Sequence, residues 1–123
     1  MAGSSDSGLK LGINGLGRIG KLTLWHHVAR KAFGEIVVNL GRAAGASLAD
    51  VAHYVERDST YGWLHGYLYG HQARPVITDL DDRNGTLRID GLLVRFLREK
   101  RNPADIGWGA IGVRLVVDTT GRF

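Results

Sequence analysis

The chain has 123 residues, of which 44% are hydrophobic and 23% are charged, and these values are ordinary for one globular domain. It contains no cysteine, which excludes a disulfide framework, a cysteine zinc site and a cysteine nucleophile within this sequence. Its formal charge of +4 suits ligands that carry phosphate, although charged runs in most proteins are solvated surface.

Residues 1–8 are small and polar and lack the basic and apolar regions of a signal peptide. We therefore expect a flexible leader over 1–8 and a single domain over 9–123. No apolar run approaches about 18 residues, so we expect no membrane-spanning helix. A cytoplasmic location is the default expectation from these features.

Three glycines with the spacing G-x-G-x-x-G follow the first predicted strand. The strand covers Leu9–Asn14, the glycines are Gly15, Gly17 and Gly20, and a helix is predicted over Arg18–Phe33. In a dinucleotide site the first glycine permits a tight turn, the second lets the backbone approach a pyrophosphate, and the third allows close helix–strand packing. The phosphates then lie at the helix N-terminus. The order of strand, glycines and helix therefore predicts a dinucleotide-binding turn.

The first helix is predicted to end at Gly34 and to face the sheet with one apolar stripe. The stripe comprises Ile19, Leu22, Trp25, Ala29 and Ala32. The second strand, Glu35–Leu40, is rich in β-branched residues and apolar on both faces, which favours a parallel strand covered on both sides. Residues 9–40 are therefore predicted to form a βαβ unit.

An antiparallel meander is predicted in the middle of the chain. Before it, Ser47 is the predicted N-cap of a second helix, whose apolar stripe is Leu48, Val51, Ala52 and Val55. Three short extended runs follow, at Val76–Asp79, Thr86–Asp90 and Leu92–Leu97. Asn-Gly and Asp-Gly pairs between these runs are strong hairpin turns, and the acidic pair Asp81-Asp82 is assigned to the first turn. The meander interrupts an otherwise parallel fold.

The last part of the sequence is predicted to hold one helical turn at Asn102–Ile106 and a final strand at Arg114–Thr119. A strand of this kind normally continues into another crossover. We therefore expect a Rossmann-like α/β domain that is incomplete at its C-terminus.

Four motifs in register resemble the N-terminal half of the glyceraldehyde-3-phosphate dehydrogenases. They are GINGLGRIG at 12–20, DSTYG at 58–62, RNPADIGW at 101–108 and VVDTTGRF at 116–123. The first motif, with Asn14 before the glycines and Arg18-Ile19 among them, is far more specific than the glycine spacing alone. The sequence is therefore identified as a member of that family.

The resemblance implies a set of cofactor-binding residues at the carboxyl ends of the strands. Backbone N–H groups around Arg18 and Ile19 would lie nearest the pyrophosphate, and Arg101 would lie near the adenine side. Residues 119–121 would line the pocket beyond the last strand. The full set is Asn14, Gly15, Gly17, Arg18, Ile19, Leu40, Arg42, Arg101, Thr119, Thr120 and Gly121.

One position departs from the family pattern. Leu40 stands where the family usually places an aspartate that accepts hydrogen bonds from the adenosine ribose. Leucine cannot accept the 2′-hydroxyl, and Arg42 could pair with a 2′-phosphate through its planar guanidinium. The sequence therefore leaves two cofactors open, NAD and NADP, with Arg42 either a phosphate ligand or a solvated loop residue.

The resemblance implies the NAD(P)-binding portion of a phosphorylating aldehyde dehydrogenase, which passes a hydride from an aldehyde phosphate to NAD(P). The family's nucleophilic cysteine, its activating histidine and its phosphate pockets belong to a second half that these residues do not include. We therefore predict no catalytic residue here, and we expect the sugar-phosphate aldehyde to bind through the other domain. The full-length protein is expected to be a homotetramer.

The alternative hypothesis is a stand-alone, non-catalytic module that binds nucleotides or nucleic acid. Its aromatic residues could stack on bases, and they are Trp63, Tyr67, Tyr69 and Trp108. Aromatics that alternate with glycine are more often core and interface residues of strands, so nucleic acid is the less favoured partner. No metal site is predicted, because the spacing of the five histidines matches no zinc-ligand pattern.

Overall fold

The computed structural model describes residues 9–40, 47–58, 62–69, 76–97 and 108–119. The strands are β1 (Lys10–Asn14), β2 (Glu35–Asn39), β3 (Arg57–Asp58), β4 (Gly62–Trp63), β5 (Ile77–Asp81), β6 (Thr86–Ile89), β7 (Leu92–Leu97) and β8 (Val113–Asp118). The helices are α1 (Arg18–Arg30), α2 (Leu48–Glu56) and α3 (Leu64–Tyr69), with a 3₁₀ turn at Trp108–Ile111. The helical turn predicted at 102–106 lies outside the described residues.

The main sheet has six strands in the order β5-β6-β7-β2-β1-β8. Four of them are parallel, because β1 pairs with β2 and β8, and β2 pairs with β7. The hairpins β5–β6 and β6–β7 are antiparallel. The predicted α/β fold, with a meander inserted in a parallel sheet, is therefore confirmed, and β7 is the strand that belongs to both parts.

Both faces of β2 are covered. Ile36 and Val38 of β2 point into the main core with the apolar faces of all three helices, while Val37 points the other way and packs with Trp108 and Val113. This arrangement confirms the prediction that β2 is buried on both sides. Burial on both faces also fixes the register, since a slip of one residue would exchange the two sets of side chains.

The inward face of α1 differs from the predicted stripe. The buried residues are Gly20, Lys21, Leu24, Trp25 and Val28, whereas Ile19 is 64% exposed. The prediction is confirmed for Trp25 and Leu22, which pack in the core, and wrong for Ile19, Ala29 and Ala32, because it ranked positions by hydrophobicity alone. Gly20 faces inward because it allows a close approach to Gly15, and Lys21 faces inward because its ammonium donates to the carbonyl of Arg57.

The end of α1 also differs from the prediction. The helix stops at Arg30, and Lys31 adopts a left-handed conformation (φ 53°) while its N–H bonds to the carbonyl of His27. Gly34, the predicted terminator, instead donates its N–H to Leu9 O at 2.9 Å. A lysine therefore takes the conformation that glycine usually supplies at a helix C-terminus.

α1 and α2 are joined by hydrogen bonds at the C-terminus of α2. The indole Nε1 of Trp25 donates to Val55 O at 2.7 Å, and Lys21 Nζ donates to Arg57 O at 2.6 Å. These bonds satisfy carbonyls that a helix end leaves without intrahelical donors, and the ammonium complements the negative end of the helix dipole. At the other end of α2, the predicted N-cap is confirmed, because Ser47 Oγ accepts from the N–H of Asp50 at 3.1 Å.

The hairpin turns form where the sequence predicts them. Asp81 accepts hydrogen bonds from the side chain and backbone of Asn84, and these bonds lower the pKa of Asp81. The expectation that aromatics alternating with glycine lie in strands is confirmed for Trp63, which lies in β4, and wrong for Tyr67 and Tyr69, because residues 64–69 form α3. There the ring of Tyr67 packs on Trp25 at a centroid distance of 5.3 Å.

None of the described helices is long and apolar enough to cross a membrane.

His27 is expected to make the stability of the fold pH-dependent. Burial lowers the pKa of His27 below its ordinary value of 6.5, and His26 and Arg30 lower it further. The unfolded chain therefore binds a proton more readily than the folded one, so the free energy of unfolding should fall as pH drops through about 6.5 and level off below the lowered pKa. His27→Phe should reduce this slope when unfolding by denaturant is measured between pH 7 and pH 5.

A packing control separates titration from lost contacts. The His27 ring packs edge-on against Phe33 at 5.6 Å, so Phe33→Leu disturbs the same contact without removing the titrating group. Phe33→Leu should lower stability at every pH and keep the wild-type slope. A wild-type slope in His27→Phe would show that other groups cause the pH dependence.

Candidate functional site

The loop between β1 and α1 lies where the parallel strands of the sheet end. In the paired register, the last residue of β1, Asn14, lies opposite Asn39 of β2 and Asp118 of β8. Gly15 follows with φ 102°, a conformation that favours glycine. Ligands of open α/β sheets bind at this carboxyl edge, so the predicted glycine loop occupies the expected place.

Gly20 is required by close packing. A Cβ at this position would lie 2.1 Å from Gly15 O and 2.8 Å from Thr119 Oγ1. The nearest obstacle is backbone, which cannot rotate away as a long side chain can. An alanine at position 20 would therefore push the first turn of α1 away from the end of β1.

Gly17 is not required by packing. Its φ of −77° and ψ of −168° are extended values that any residue adopts, and a Cβ here would meet none of the described residues within 4 Å. Gly17 is the N-cap of α1, but it gives the helix no side-chain cap, and the first turn contains no acidic residue. Among the described residues, neither a capping side chain nor a carboxylate of the first turn therefore occupies the positive end of the helix dipole, which is the usual environment of an anion site.

Neighbouring strands hold the glycine loop by hydrogen bonds on both sides of β1. From β2, Asn39 O accepts the N–H of Gly15 at 3.0 Å, and Asn39 Nδ2 donates to Asn14 Oδ1 at 2.9 Å. After β8, the Thr119 hydroxyl lies within donor distance of Gly15 O (2.8 Å) and Asn14 O (3.1 Å). The N–H and the carbonyl of Gly15 are therefore both hydrogen-bonded to residues at the ends of neighbouring strands.

The predicted site residues fall into two groups. The structure brings Asn14, Gly15, Gly17, Arg18, Ile19 and Thr119 together at the glycine loop. Leu40 differs, because its side chain is 1% exposed and packs in the main core, while its N–H donates to Leu97 O at 2.8 Å. The remaining predicted positions lie outside the described residues, and they are Arg42, Arg101, Thr120 and Gly121.

The family model for the glyceraldehyde 3-phosphate dehydrogenase, NAD binding domain, matches residues 9–123. The chain belongs to this family. It is therefore the portion of a glyceraldehyde-3-phosphate dehydrogenase-like protein that binds a nicotinamide dinucleotide, and the family expected from the four sequence motifs is confirmed. The alternative of a stand-alone nucleic-acid-binding module is not supported by these matches.

Curated relatives carry the same family name and are much longer than this chain. The identity is 36% over 115 residues with glyceraldehyde-3-phosphate dehydrogenase 1 of Kluyveromyces lactis, covering 94% of this chain and 30% of that protein. It is 32% over 123 residues with the chloroplastic glyceraldehyde-3-phosphate dehydrogenase A of Nicotiana tabacum, covering 98% and 27%. For the Heyndrickxia coagulans protein it is 34% over 115 residues, covering 94% and 29%. The chain thus spans less than a third of each relative's length.

Sequence reasoning missed the structural part that Asn39 plays in this dehydrogenase-family site. The signal was present, because β1 and β2 are apolar strands that both end in asparagine, at Asn14 and Asn39. A polar residue at the end of a buried strand needs a hydrogen-bond partner. The two amides satisfy each other only because the parallel register places them opposite one another, and a single sequence does not display that register.

The glycine loop of the glyceraldehyde-3-phosphate dehydrogenase-like domain carries the features of an anion site. The loop offers backbone N–H groups, a helix dipole and an exposed first turn, all of which recognise anions. No cluster of three or more His, Asp or Glu side chains that could hold a metal ion occurs within the described ranges. The arrangement can therefore hold and orient the phosphates of a cofactor.

Proposed function

We propose that this chain binds the pyrophosphate of a nicotinamide dinucleotide at the N-terminus of α1. Gly17 is the observation that carries the proposal. Its position accepts a Cβ in the free protein, since neither its backbone angles nor the described residues around it demand glycine. A bound phosphate would explain why position 17 is a glycine. The phosphate contacts the backbone there, and a Cβ would occupy the space that it needs.

The surroundings of Gly17 support an anionic ligand. The first turn of α1 contains no acidic residue, so no carboxylate of that turn competes for the backbone N–H groups. Arg18 begins the helix and brings a positive charge to the same turn. Ile19, exposed beside it, offers apolar surface to the adenosine half of the cofactor. Arg101, Thr120 and Gly121 complete the proposed site on the strength of the family resemblance.

The whole protein is proposed to be an oxidoreductase that converts a sugar-phosphate aldehyde in carbohydrate metabolism. When bound, the nicotinamide accepts a hydride. The cofactor supplies this chemistry, and the domain positions the cofactor. The 123 residues contain no cysteine, so a thiolate nucleophile would come from elsewhere in the protein. On the same family resemblance, the full-length protein is proposed to be a homotetramer. Its cytoplasmic location stays a prediction.

Gly17→Ala tests the binding proposal. The variant should bind NAD about tenfold or more weakly, because the new methyl group stands where the pyrophosphate approaches. Its free energy of unfolding should fall by no more than about 1 kcal/mol, since alanine is a poorer N-cap than glycine but the methyl group meets none of the described residues. Calorimetric titration with NAD and denaturant unfolding measure the two quantities.

Gly66→Ala is the matched control. Gly66 lies in α3, and a Cβ there also meets nothing within 4 Å. This variant should bind NAD like the wild-type chain, and the helix should gain slightly in stability. If Gly17→Ala and Gly66→Ala bind NAD equally well, the glycine loop does not contact the pyrophosphate and the proposal fails.

We further propose that the site accepts NADP. A carboxylate that binds the ribose hydroxyls in such folds usually follows the second strand. In the described part of this chain, β2 ends in the amide of Asn39 and the buried side chain of Leu40, neither of which repels a 2′-phosphate. The carboxylate that the sheet register does bring to this edge, Asp118, belongs to β8 on the other side of β1.

Parallel titrations of the wild-type chain and Arg42→Ala with NAD and NADP test this second proposal. Arg42 should contribute to NADP affinity through its guanidinium, so Arg42→Ala should weaken NADP about tenfold and leave NAD unchanged. Tighter binding of NAD than of NADP, with neither affinity altered by the substitution, would contradict it.

A further inference from the structure

Asn39 holds the start of the glycine loop by two different hydrogen bonds. Its backbone carbonyl accepts the N–H of Gly15 at 3.0 Å, and its side-chain Nδ2 donates to Asn14 Oδ1 at 2.9 Å. The side chain of Asn14 is thereby fixed to a neighbouring strand. One residue of β2 therefore sets both the last side chain of β1 and the first peptide of the loop.

The position of this amide pair makes its hydrogen bond strong. Asn14 is 3% exposed and Asn39 is 2% exposed, so water competes little for either group. The two residues are direct partners in the parallel register of β1 and β2. Leaving one amide without its partner would place an unsatisfied polar group in a buried site, which costs more than the bond itself is worth.

The geometry of the loop depends on what this pair fixes. Gly15 has φ 102°, a conformation that glycine also leaves readily because its backbone is the least restricted. The Asn39 carbonyl restrains the N–H side of Gly15, and the Thr119 hydroxyl, 2.8 Å away, restrains its carbonyl. Gly17 and the N-terminus of α1 follow two residues later, so their direction is set by this anchored peptide.

We propose that Asn39 is a positioning residue for the dinucleotide site. This inference rests on the proposed binding function, and it adds a residue that acts through Asn14 and Gly15. Asn39 is too deeply buried to present its side chain to the cofactor, so its effect on affinity comes from holding the loop in the binding conformation. Preorganisation of this kind lowers the conformational entropy lost on binding.

Asn39→Ala should weaken NAD binding about fivefold to tenfold while the protein still folds. It removes the side-chain bond and leaves the backbone carbonyl in place. The amide resonances of Gly15 and Gly17 in the free protein should move, which a general loss of stability would not cause at these two residues in particular. Asn39→Thr is a second variant, since it suits a strand and its side chain is one bond too short to reach Asn14 Oδ1.

Asn84→Ala is the matched control, because it removes an asparagine side-chain bond far along the chain. Asn84 Nδ2 donates to Asp81 Oδ2 at 2.8 Å in the β5–β6 turn. This variant should keep the wild-type affinity for NAD and the wild-type resonances of Gly15 and Gly17. It therefore distinguishes the loop anchor from the loss of an asparagine hydrogen bond in general.

A double-mutant cycle with Asn14→Ala shows whether Asn39 acts through Asn14. The double variant should bind NAD no more weakly than Asn14→Ala alone, because the hydrogen bond between the two amides is already lost in that single variant. If folded Asn39→Ala or Asn39→Thr binds NAD as tightly as the wild-type chain, the positioning role is overturned while the proposed function stands. If the wild-type chain does not bind NAD, the proposed function itself fails, and the inference fails with it.

Discussion

The close approach of α1 to the end of β1 is the constraint on which the rest of the structure depends. Gly20 makes that approach possible, since a Cβ there would lie 2.1 Å from the carbonyl oxygen of Gly15. The helix is anchored to the sheet by backbone contact at its first turn, and no described side chain caps its N-terminus. Among the described residues, the positive end of α1 has no atom within 4 Å of the place where a side chain at Gly17 would begin. The proposed anion site therefore follows from how the helix is attached.

α1 is also held along its length by α2. Trp25 and Lys21 donate to carbonyls at the C-terminus of α2. The last carbonyls of a helix have no intrahelical donor, so they serve as acceptors for these two buried polar groups. Lys21 Nζ also lies 4.3 Å from the ring centroid of Tyr54. With its N-terminus fixed by glycine and its middle fixed by these donors, α1 has little freedom to tilt. A rigid helix end is a better anion site than a mobile one, because less entropy is lost when the ligand binds.

The sequence predicted the features that depend on local patterns. The βαβ unit, the Ser47 cap and the hairpin turns follow from periodicity and turn chemistry within a few residues. The errors arose where distant residues decide the outcome. The inward face of α1 includes Lys21 because its acceptor lies at Arg57, and residues 64–69 are helical in a setting where Tyr67 packs on Trp25. The site shows the same division, since its glycines were visible in the sequence, whereas the Asn14–Asn39 pair depends on a strand register that one sequence does not reveal.

The central claim is that the exposed N-terminus of α1 is the phosphate site of this domain. An NMR titration of the ¹⁵N-labelled chain with ADP-ribose tests it most directly, because backbone amides report contact residue by residue. We expect the largest shift changes at the amides between Gly15 and Gly20, with smaller ones near Asn39 and Thr119. Changes concentrated instead around the exposed aromatic residues Trp63 and Tyr67, with the glycine loop unaffected, would contradict the claim.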